Sequence, residues 1–418
     1  MTTTPNLRET VSALTESYAR FQGMSLKLDM TRGKPCKEQL DLSRGLVEAV
    51  TSDDYKAPDG TDTRNYGGLE GLPEARQLFA DLFGCKADDV LIGGNASLAL
   101  MFDTLIRAHV FGVPGGERPW GKEEKVKWLC PAPGYDRHFA ITEHLGYELV
   151  VVPMTGHGPD MAKVEALVSD PAVKGIWIVP KYANPTGESV SSDVVKRLAS
   201  MKTGAPDFRI MWDDAYSVHH LGATGDEVDN ILDACTAAGN PNRVFLFAST
   251  SKISHAGAGI SAMAASTTNI AWTKKSLSKQ TIGPDKVNQL RHTRYFKNFE
   301  GVGAHMLGHA AILKPKFDAV LRVLEEELGG TGLASWTNPN GGYFISLNTL
   351  PGHAKNVVKM ANEAGVKLTE AGATFPYGKD PEDRNIRLAP SFPTLADIEA
   401  ATRVVATCVK LSWARTNL

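Results

Sequence analysis

The chain has 418 residues, of which 42% are hydrophobic and 22% are charged, and its formal net charge is −2. This length exceeds what one hydrophobic core usually holds, so two domains are expected. The near-neutral charge, without a long basic run, argues against nucleic acid or an anionic membrane as a partner, and no run approaches the roughly 20 apolar residues of a membrane span.

The N-terminal segment begins with Met1-Thr2-Thr3-Thr4-Pro5, which lacks the charged and then apolar pattern of a secretory signal. The first 45 residues have a helix-like start followed by the run from Asp29 to Pro35. Because this segment is too short to form a core alone, we expect it to pack on the C-terminal part of the chain.

From about residue 90 to 266, short apolar and β-branched runs alternate with amphipathic stretches. This alternation is typical of strands joined by helical crossovers, so it predicts a seven-stranded, mostly parallel sheet. The predicted strands are Val90–Ile92, Val126–Leu129, Leu149–Val152, Ile176–Val179, Arg209–Trp212, Val244–Phe247 and Ile260–Met263.

After residue 305 the pattern changes to a long amphipathic helix through Lys314 to Leu328, a Gly329-Gly330 break and an apolar run. This part is typical of a smaller α+β domain. We therefore predict an α/β protein with a large domain over residues 46–310 and a small domain built from both termini, residues 1–45 and 311–418.

The five cysteines are scattered along the chain, odd in number and never spaced as C-x-x-C. This distribution favours reduced thiols over a disulfide framework. We therefore expect a cytoplasmic protein whose cysteines are structural.

A glycine turn follows the first predicted strand and opens a helix, with the sequence Gly93-Gly94-Asn95-Ala96-Ser97. Free backbone N–H groups at such a turn suit a phosphate. A turn without a ligand is an equal alternative, because a short glycine motif is a weak signal.

Three further motifs follow the fourth, fifth and sixth predicted strands. They are Asn184-Pro185-Thr186-Gly187, Asp213-Asp214-Ala215-Tyr216 and Ser249-Thr250-Ser251-Lys252. In open parallel sheets, ligands bind beyond the carboxyl ends of the strands. We therefore expect one pocket shared by the three motifs.

Lys252 is the chemical centre of this set. A lysine at the end of a buried strand can lose its proton and form an imine with an aldehyde. Taken alone, Lys252 would be a surface lysine. The apolar run before it, Ser249 and the following Gly257-Ala258-Gly259, which lets backbone approach a ligand, favour a catalytic role.

Asp213 and Asp214 end the fifth predicted strand, and one of them could be a helix cap or a solvated loop residue. A carboxylate that faces a pyridine nitrogen keeps it protonated, and we choose Asp213 because Tyr216 lies three residues later. Asn184, whose motif could be only a turn, can donate to a phenolic oxygen that Tyr216 shares. Pyridoxal phosphate requires these groups.

Two histidine pairs lie outside these motifs. His305 and His309 have the helical i, i+4 spacing of a zinc motif but lack its glutamate, so we expect helix surface or packing and no metal. His219 and His220 follow the Tyr216 turn and are either near the site or structural.

The motifs, taken with Ile386-Arg387-Leu388, resemble the class I aminotransferases of the fold type I pyridoxal phosphate enzymes. The match spans nearly the whole chain. The resemblance implies a homodimer with shared active sites, a large cofactor-binding domain, a small domain from both termini, and ping-pong transamination through Schiff bases.

By this resemblance, Lys252 is the Schiff-base lysine and proton shuttle, Asp213 is the pyridinium partner, and Asn184 and Tyr216 act at the phenolic oxygen. Tyr135 resembles the aromatic ring over the pyridine face, with a core tyrosine as the alternative. The residues that match phosphate ligands are Asn95, Ala96, Ser97, Ser249 and Tyr66, the last being the tyrosine that reaches the partner subunit's phosphate.

The substrate residues also follow from the resemblance. Arg387 resembles the arginine that grips the α-carboxylate, a bidentate task suited to guanidinium, and Gly33 resembles the glycine that closes over it. The subgroup resembles aspartate aminotransferases, which implies aspartate as donor and 2-oxoglutarate as acceptor. The cations that we suggest could bind the side-chain carboxylate of the substrate are Arg32, Arg291, Arg294 and Lys297.

One stretch departs from the family, which has a phosphate-binding arginine about eight residues after the lysine. Ile253 to Ile260 contain no arginine. The chain in this respect resembles the aminotransferase-like domain related to MocR proteins. A cation from elsewhere in the fold or from the partner chain is therefore expected to balance the phosphate.

Other activities stay open. Alanine or aromatic transamination and a pyridoxal phosphate β-lyase use the same cofactor chemistry, and the pocket decides between them. A MocR-type regulator that senses the cofactor would need an added N-terminal DNA-binding domain. The early position of the Asp29–Pro35 run leaves no room for one, and the charge is near neutral.

Overall fold

The computed structural model describes residues 7–31 and 33–418. The helices are α1 (Leu7–Gly23), α2 (Lys37–Asp41), α3 (Pro73–Phe83), α4 (Ser97–Phe111), α5 (Asp136–His144), α6 (Met161–Leu167), α7 (Ser192–Ser200), α8 (Ile231–Ala237), α9 (Thr267–Gln280), α10 (Lys286–Phe296), α11 (Phe299–Leu328), α12 (Ala354–Glu363) and α13 (Leu395–Thr416). Short 3₁₀ helices lie at Arg44–Ala49, Ala87–Asp89, Trp120–Lys122 and Pro376–Gly378.

The strands are β1 (Leu28–Asp29), β2 (Val90–Ile92), β3 (Lys127–Ala132), β4 (Glu148–Pro153), β5 (Val173–Ile178), β6 (Arg209–Asp213), β7 (Val244–Ser249), β8 (Ser261–Ala265), β9 (Ala334–Trp336), β10 (Ile345–Thr349), β11 (Val366–Lys367) and β12 (Asn385–Leu388). Seven of them form one sheet in the order β2-β8-β7-β6-β5-β3-β4. Neighbouring strands from β4 through β7 are parallel, and β8 is antiparallel to both β7 and β2. The predicted α/β class with a seven-stranded, mostly parallel sheet is confirmed.

The central strands are apolar on both faces. In β6, Ile210 and Trp212 pack into one buried cluster, whereas Met211 packs into the cluster on the other face. Every residue of β5 and of β6 is buried. Parallel strands covered by helices on both sides require this composition, which is why the strands appear in the sequence as continuous apolar runs.

A third buried cluster joins the N-terminal segment to the C-terminal part of the chain. It contains Tyr18 and Met30 together with residues of α11, α12, α13, β10 and β12. Strand β1 also pairs in parallel with β11, with Leu28 opposite Val366, and β12-β10-β9 form an antiparallel sheet. The smaller α+β unit from both termini is confirmed.

The division at residues 45 and 310 stays a prediction. Helix α11 runs from Phe299 to Leu328, so the chain crosses residue 310 inside a continuous helix. The long helix expected through Lys314 to Leu328 therefore begins earlier than the sequence indicated.

All five cysteines are free, and Cys85 is the one that is not buried. Within residues 7–31 and 33–418, no helix is both long enough and apolar enough to cross a membrane.

Candidate active site

A cavity of about 230 Å³ lies where the motifs meet. It is bounded by the carboxyl end of β6, the loops after β5 and β7, the first turns of α4 and α5, and strand β12. The predicted site residues that line it are Gly33, Ser97, Tyr135, Asn184, Asp213, Tyr216, Lys252 and Arg387. Residues separated by more than 350 positions in the sequence thus share one cavity.

Lys252 lies three residues after β7, and its Nζ is 4.8 Å from the centre of the Tyr216 ring. Desolvation by the surrounding protein lowers the pKa of the Lys252 amine, and the negative charge of Asp213 opposes this shift. A larger fraction of the amine is therefore neutral at neutral pH than for a surface lysine. A neutral amine is the form that attacks a carbonyl carbon or accepts a proton.

The backbone carbonyl of Lys252 contacts two donors. His219 Nε2 lies 3.3 Å from this oxygen, and the Tyr343 hydroxyl donates to it over 3.4 Å. Burial lowers the pKa of His219 well below its usual value, so the ring is neutral and Nε2–H is the donor that fits this contact. His219 is thus placed near the site.

The next carbonyl, that of Ile253, accepts from the other histidine pair. His305 Nε2 and His309 Nε2 each lie 2.9 Å from the Ile253 oxygen. Gln39 Nε2 donates over 2.9 Å to His309 Nδ1, and burial lowers the pKa of His309 to about 4. His309 is buried rather than on the helix surface, so of the two predicted alternatives packing is correct.

Gln39 also donates to the Tyr343 hydroxyl over 2.9 Å. We define the carbonyl clamp as Gln39, His219, His305, His309 and Tyr343, which together hold the peptide that carries Lys252. Gln39 and Tyr343 were not singled out from the sequence. No local signal marks them, because they meet Lys252 only through tertiary packing.

Asp213 is the last residue of β6 and is 3% exposed. Its Oδ2 lies 2.9 Å from His138 Nε2, whereas its Oδ1 is buried without a hydrogen-bond partner. The His138 ring stacks on Trp177, with 4.3 Å between ring centres and an interplanar angle of 7°. Asp213 therefore has a fixed orientation and one unused acceptor atom.

His138 was missed in the sequence. The available signal was its position three residues after Tyr135, which puts both on one side of the first turn of α5. Asp214 does not line the cavity, and burial raises its pKa to about 7 despite the opposing charge of Lys181. The geometry thus favours Asp213 over Asp214 as the cavity carboxylate.

Two tyrosines, Tyr135 and Tyr216, line the cavity. Burial raises the pKa of Tyr135 to about 12, with the Asp213 charge adding to the shift, and burial raises the pKa of Tyr216 well above its usual value. Both hydroxyls therefore keep their protons at neutral pH and can act as donors.

The first turn of α4 forms another wall of the cavity. Its N-cap is Ala96, so no side chain caps the first backbone N–H groups, and Ser97 lines the cavity. Ser251 Oγ donates to the Asn95 carbonyl over 2.8 Å, and Ser249 Oγ donates to Ser251 Oγ over 3.1 Å. Asn95, Ala96 and Ser249 thus adjoin the cavity without lining it.

The loop after Lys252 packs closely at Gly259, seven residues after the lysine. A Cβ on Gly259 would lie 3.0 Å from both Ser251 N and Thr250 Oγ1, and Asn288 Nδ2 donates to the Gly259 carbonyl over 3.0 Å. Among the described residues, the cations that line the cavity are Lys34, Arg137, Lys252 and Arg387.

Arg387 lies on β12 and is 6% exposed. Its Nη1 is 3.0 Å from Asp136 Oδ1 and donates to Asn184 Oδ1 over 3.2 Å, while Nη2 donates to Thr369 Oγ1 over 3.2 Å. Its Nε is buried without a partner. The contact to Asn184 Oδ1 leaves the Asn184 Nδ2 group free to donate elsewhere.

Gly33 closes the same end of the cavity. A Cβ at this position would lie 2.5 Å from Phe344 Cζ and 3.0 Å from Tyr343 Cβ. A side chain here would force the segment away from the small unit, so glycine permits the close approach. Arg32 lies outside the described residues.

The other offered cations are not at the cavity. Arg294 Nη2 pairs with Asp54 Oδ1 at 2.6 Å, and neither Arg291 nor Lys297 lines the cavity. These three cations therefore do not line the cavity of their own chain, and the suggestion that they meet a substrate side chain stays a prediction.

Tyr66 is 85% exposed and does not line the cavity of its own chain. The loop that carries it is fixed, because Lys286 Nζ donates to the Gly67 carbonyl over 2.6 Å. The ring is therefore held outward, toward the surroundings of the chain.

A family model described as aspartate amino-transferase matches residues 2–418. An aspartate aminotransferase of Corynebacterium glutamicum is 51% identical over 397 residues, which cover 95% of this chain and 92% of that relative. The crystal structure of an aspartate transaminase from the same species has a TM-score of 0.97 at 50% identity and covers 99% of this chain and 97% of that one. The α-aminoadipate aminotransferase of Thermus thermophilus, solved with N-(5'-phosphopyridoxyl)-L-leucine, has a TM-score of 0.76 at 19% identity, with 98% of each chain covered, and shares the fold.

Proposed function

This chain belongs to the aspartate aminotransferase family, and from that premise we propose that it moves the amino group of L-aspartate to a 2-oxo acid, most simply 2-oxoglutarate, in a ping-pong cycle. The observation that carries the proposal is the convergence of Lys252, Asp213 and Arg387 on one cavity. The choice of aspartate is supported by the name of the Corynebacterium glutamicum relative.

The residues present fit pyridoxal 5'-phosphate. The buried Asp213 Oδ1 has no partner, as an acceptor for a protonated ring nitrogen should have none. The first turn of α4 is uncapped by any side chain, which suits a phosphate. Asn184 and Tyr216 would hold the phenolic oxygen, Tyr135 would cover the ring, and the clustered Asn95, Ala96, Ser97 and Ser249 would hold the phosphate.

When bound, the cofactor supplies a protonated pyridine ring that stabilises negative charge at the substrate's Cα. Lys252 would hold the cofactor through its aldehyde carbon and, once free, take the Cα proton at Nζ. The lowered pKa of Lys252 supports this role, because the amine must be neutral to accept a proton. Asp213, oriented by His138, would keep the ring nitrogen protonated.

Arg387 would bind the α-carboxylate and thereby orient the Cα–H bond toward Lys252. Its guanidinium is held by Asp136, Asn184 and Thr369, so little side-chain freedom is lost on binding. Gly33 would bring its backbone over the same carboxylate, which the tight contact with Phe344 supports.

We also infer a homodimer with shared active sites, located in the cytoplasm. The outward position of Tyr66 supports the dimer, since this side chain does not line the active-site cavity of its own chain. The five unpaired cysteines support a reducing compartment.

The test is a single-turnover absorbance scan of the purified protein with bound cofactor, mixed in turn with aspartate, glutamate, alanine and phenylalanine. Fast loss of the lysine-bound cofactor band with aspartate and glutamate is expected. Conversion by neutral or aromatic amino acids alone would still support transamination, but it would refute aspartate as the amino donor.

Lys252→Ala is the control variant for this scan. It should lack both the lysine-bound cofactor band and turnover while its far-ultraviolet circular dichroism stays that of the wild type. Normal turnover by this variant would refute the role of Lys252.

A further inference from the structure

The charged side chains of the cavity do not all have partners. Asp213 contacts His138, and Arg387 pairs with Asp136. Lys252 has the role proposed above. Two lining cations then remain, Arg137 and Lys34.

Arg137 is the second residue of α5 and is exposed. No ion pair to an acidic side chain is found for it in residues 7–31 and 33–418. A cation in the first turn of a helix also meets the positive end of the helix dipole, which is unfavourable. Local helix energetics and ion pairing therefore do not account for an arginine at this position.

The residues on either side of Arg137 contact two other charged side chains of the cavity. Asp136, the residue before it, contacts Arg387, and His138, the residue after it, contacts Asp213. Its charge is also close enough to the Tyr135 hydroxyl to oppose the rise of that group's pKa. Arg137 thus lines the cavity from the same helical turn as the side chains that contact Arg387 and Asp213.

We propose that Arg137 binds the side-chain carboxylate of the dicarboxylic substrate, and that it sets the preference for acidic over neutral amino acids. This inference rests on the proposed function and names a residue that the sequence did not indicate. A guanidinium offers several N–H donors to one carboxylate, so it suits this task. Arg387 would hold the α-carboxylate while Arg137 holds the second one.

Lys34 is the alternative cation and is less well placed for this task. Its Nζ lies 3.9 Å from the centre of the Phe392 ring, a cation–π contact that already occupies the ammonium group. Its segment is tied down by Ser391 Oγ, which donates to the Lys34 carbonyl over 2.9 Å. Lys34 therefore serves as the comparison variant.

The experiment compares Arg137→Ala and Lys34→Ala with Lys163→Ala, which removes an exposed cation from the first turn of α6, away from the cavity. Single-turnover efficiency is measured with aspartate and with alanine on the cofactor-loaded protein. Calorimetry gives the affinities for succinate and propionate, an unreactive dicarboxylate and monocarboxylate.

For Arg137→Ala we expect efficiency with aspartate and affinity for succinate to fall about 10- to 100-fold, the usual worth of a hydrogen-bonded charge pair. Efficiency with alanine and affinity for propionate should stay within about threefold. Lys163→Ala should match the wild type in all four measurements.

Equal losses for the acidic and neutral ligands, or a selective loss in Lys34→Ala instead, would overturn the inference. Its failure can be told apart from failure of the proposed function. Wild-type protein that does not convert aspartate refutes the proposed substrate, whereas wild-type conversion with an unchanged Arg137→Ala preference refutes only the role of Arg137.

Discussion

At the residue scale, the cavity keeps two buried polar atoms without partners, Asp213 Oδ1 and Arg387 Nε. A buried polar group without a hydrogen bond costs about 1–3 kcal/mol. Both atoms belong to side chains that line the cavity, where a ring N–H and a carboxylate could satisfy them. Leaving these atoms without hydrogen bonds destabilises the folded protein, and binding of cofactor and substrate would remove this cost.

Arg387→Ala tests this interpretation at the α-carboxylate. The KM for aspartate should rise about 10- to 100-fold, while the absorbance of the bound cofactor should not change, because other residues hold the cofactor. Steady-state kinetics and the absorbance spectrum provide the two readouts.

Arg384→Ala is the matched control, since Arg384 lies one residue before β12, pairs with Glu382 and does not line the cavity. Its KM should equal that of the wild type. An unchanged KM in Arg387→Ala would assign the α-carboxylate to another residue.

The residues that sequence reasoning found are those placed by local structure. Asp213 ends a strand and Lys252 follows one, so an apolar run marks each of them. No comparable sequence pattern identifies His138 or Gln39. Their contacts depend on which strands and helices become neighbours, and a single sequence does not state that order.

At the scale of elements, β5 shows how tightly the sheet is packed. A Cβ on Gly175 would lie 2.3 Å from Trp128 Cη2 and 2.6 Å from the Arg209 carbonyl oxygen. Trp128 lies on β3 and Arg209 on β6, the two strands that flank β5. The absence of a side chain at residue 175 lets the indole pack across the strand.

Gly175→Ala should therefore destabilise the protein by about 1–3 kcal/mol, the usual effect of overpacking a core. Thermal denaturation followed by circular dichroism would show a lower Tm. Gly23→Ala is the control, because its Cβ would meet nothing within 4 Å. A Tm for Gly175→Ala equal to that of Gly23→Ala would contradict the packing argument.

The seven strands were predictable because each is a short apolar run, and all seven occur within a few residues of the predicted positions. Their order in the sheet was not predictable from these runs. The antiparallel direction of β8 was not predicted either, since a buried strand of either direction has the same apolar composition.

At the scale of the whole molecule, the proposed homodimer would place Tyr66 of one chain at the active site of the other. Its ring is 85% exposed, on a loop fixed by Lys286. If the ring reaches the partner's cofactor, a dimer of two different inactive chains should contain one intact site.

Mixing Tyr66→Ala with Lys252→Ala after mild dissociation should therefore restore part of the activity. The intact site would combine Lys252 from one chain with Tyr66 from the other. Activity and sedimentation velocity of the mixture provide the measurements. Activity no higher than the mean of the two variants, with mixed dimers present, would mean that Tyr66 acts within its own chain or not at all.

The carbonyl clamp has a consequence for recombination between relatives. Its members come from residue 39, residue 219, helix α11 and residue 343. Four of them contact the carbonyls of Lys252 and Ile253, and Gln39 holds two of those four. A chimera with one crossover point anywhere between residues 39 and 343 inherits this set from two parents. Exchange of the small unit between family members is therefore safest when both terminal segments are taken from the same parent and the clamp residues are matched to the lysine loop.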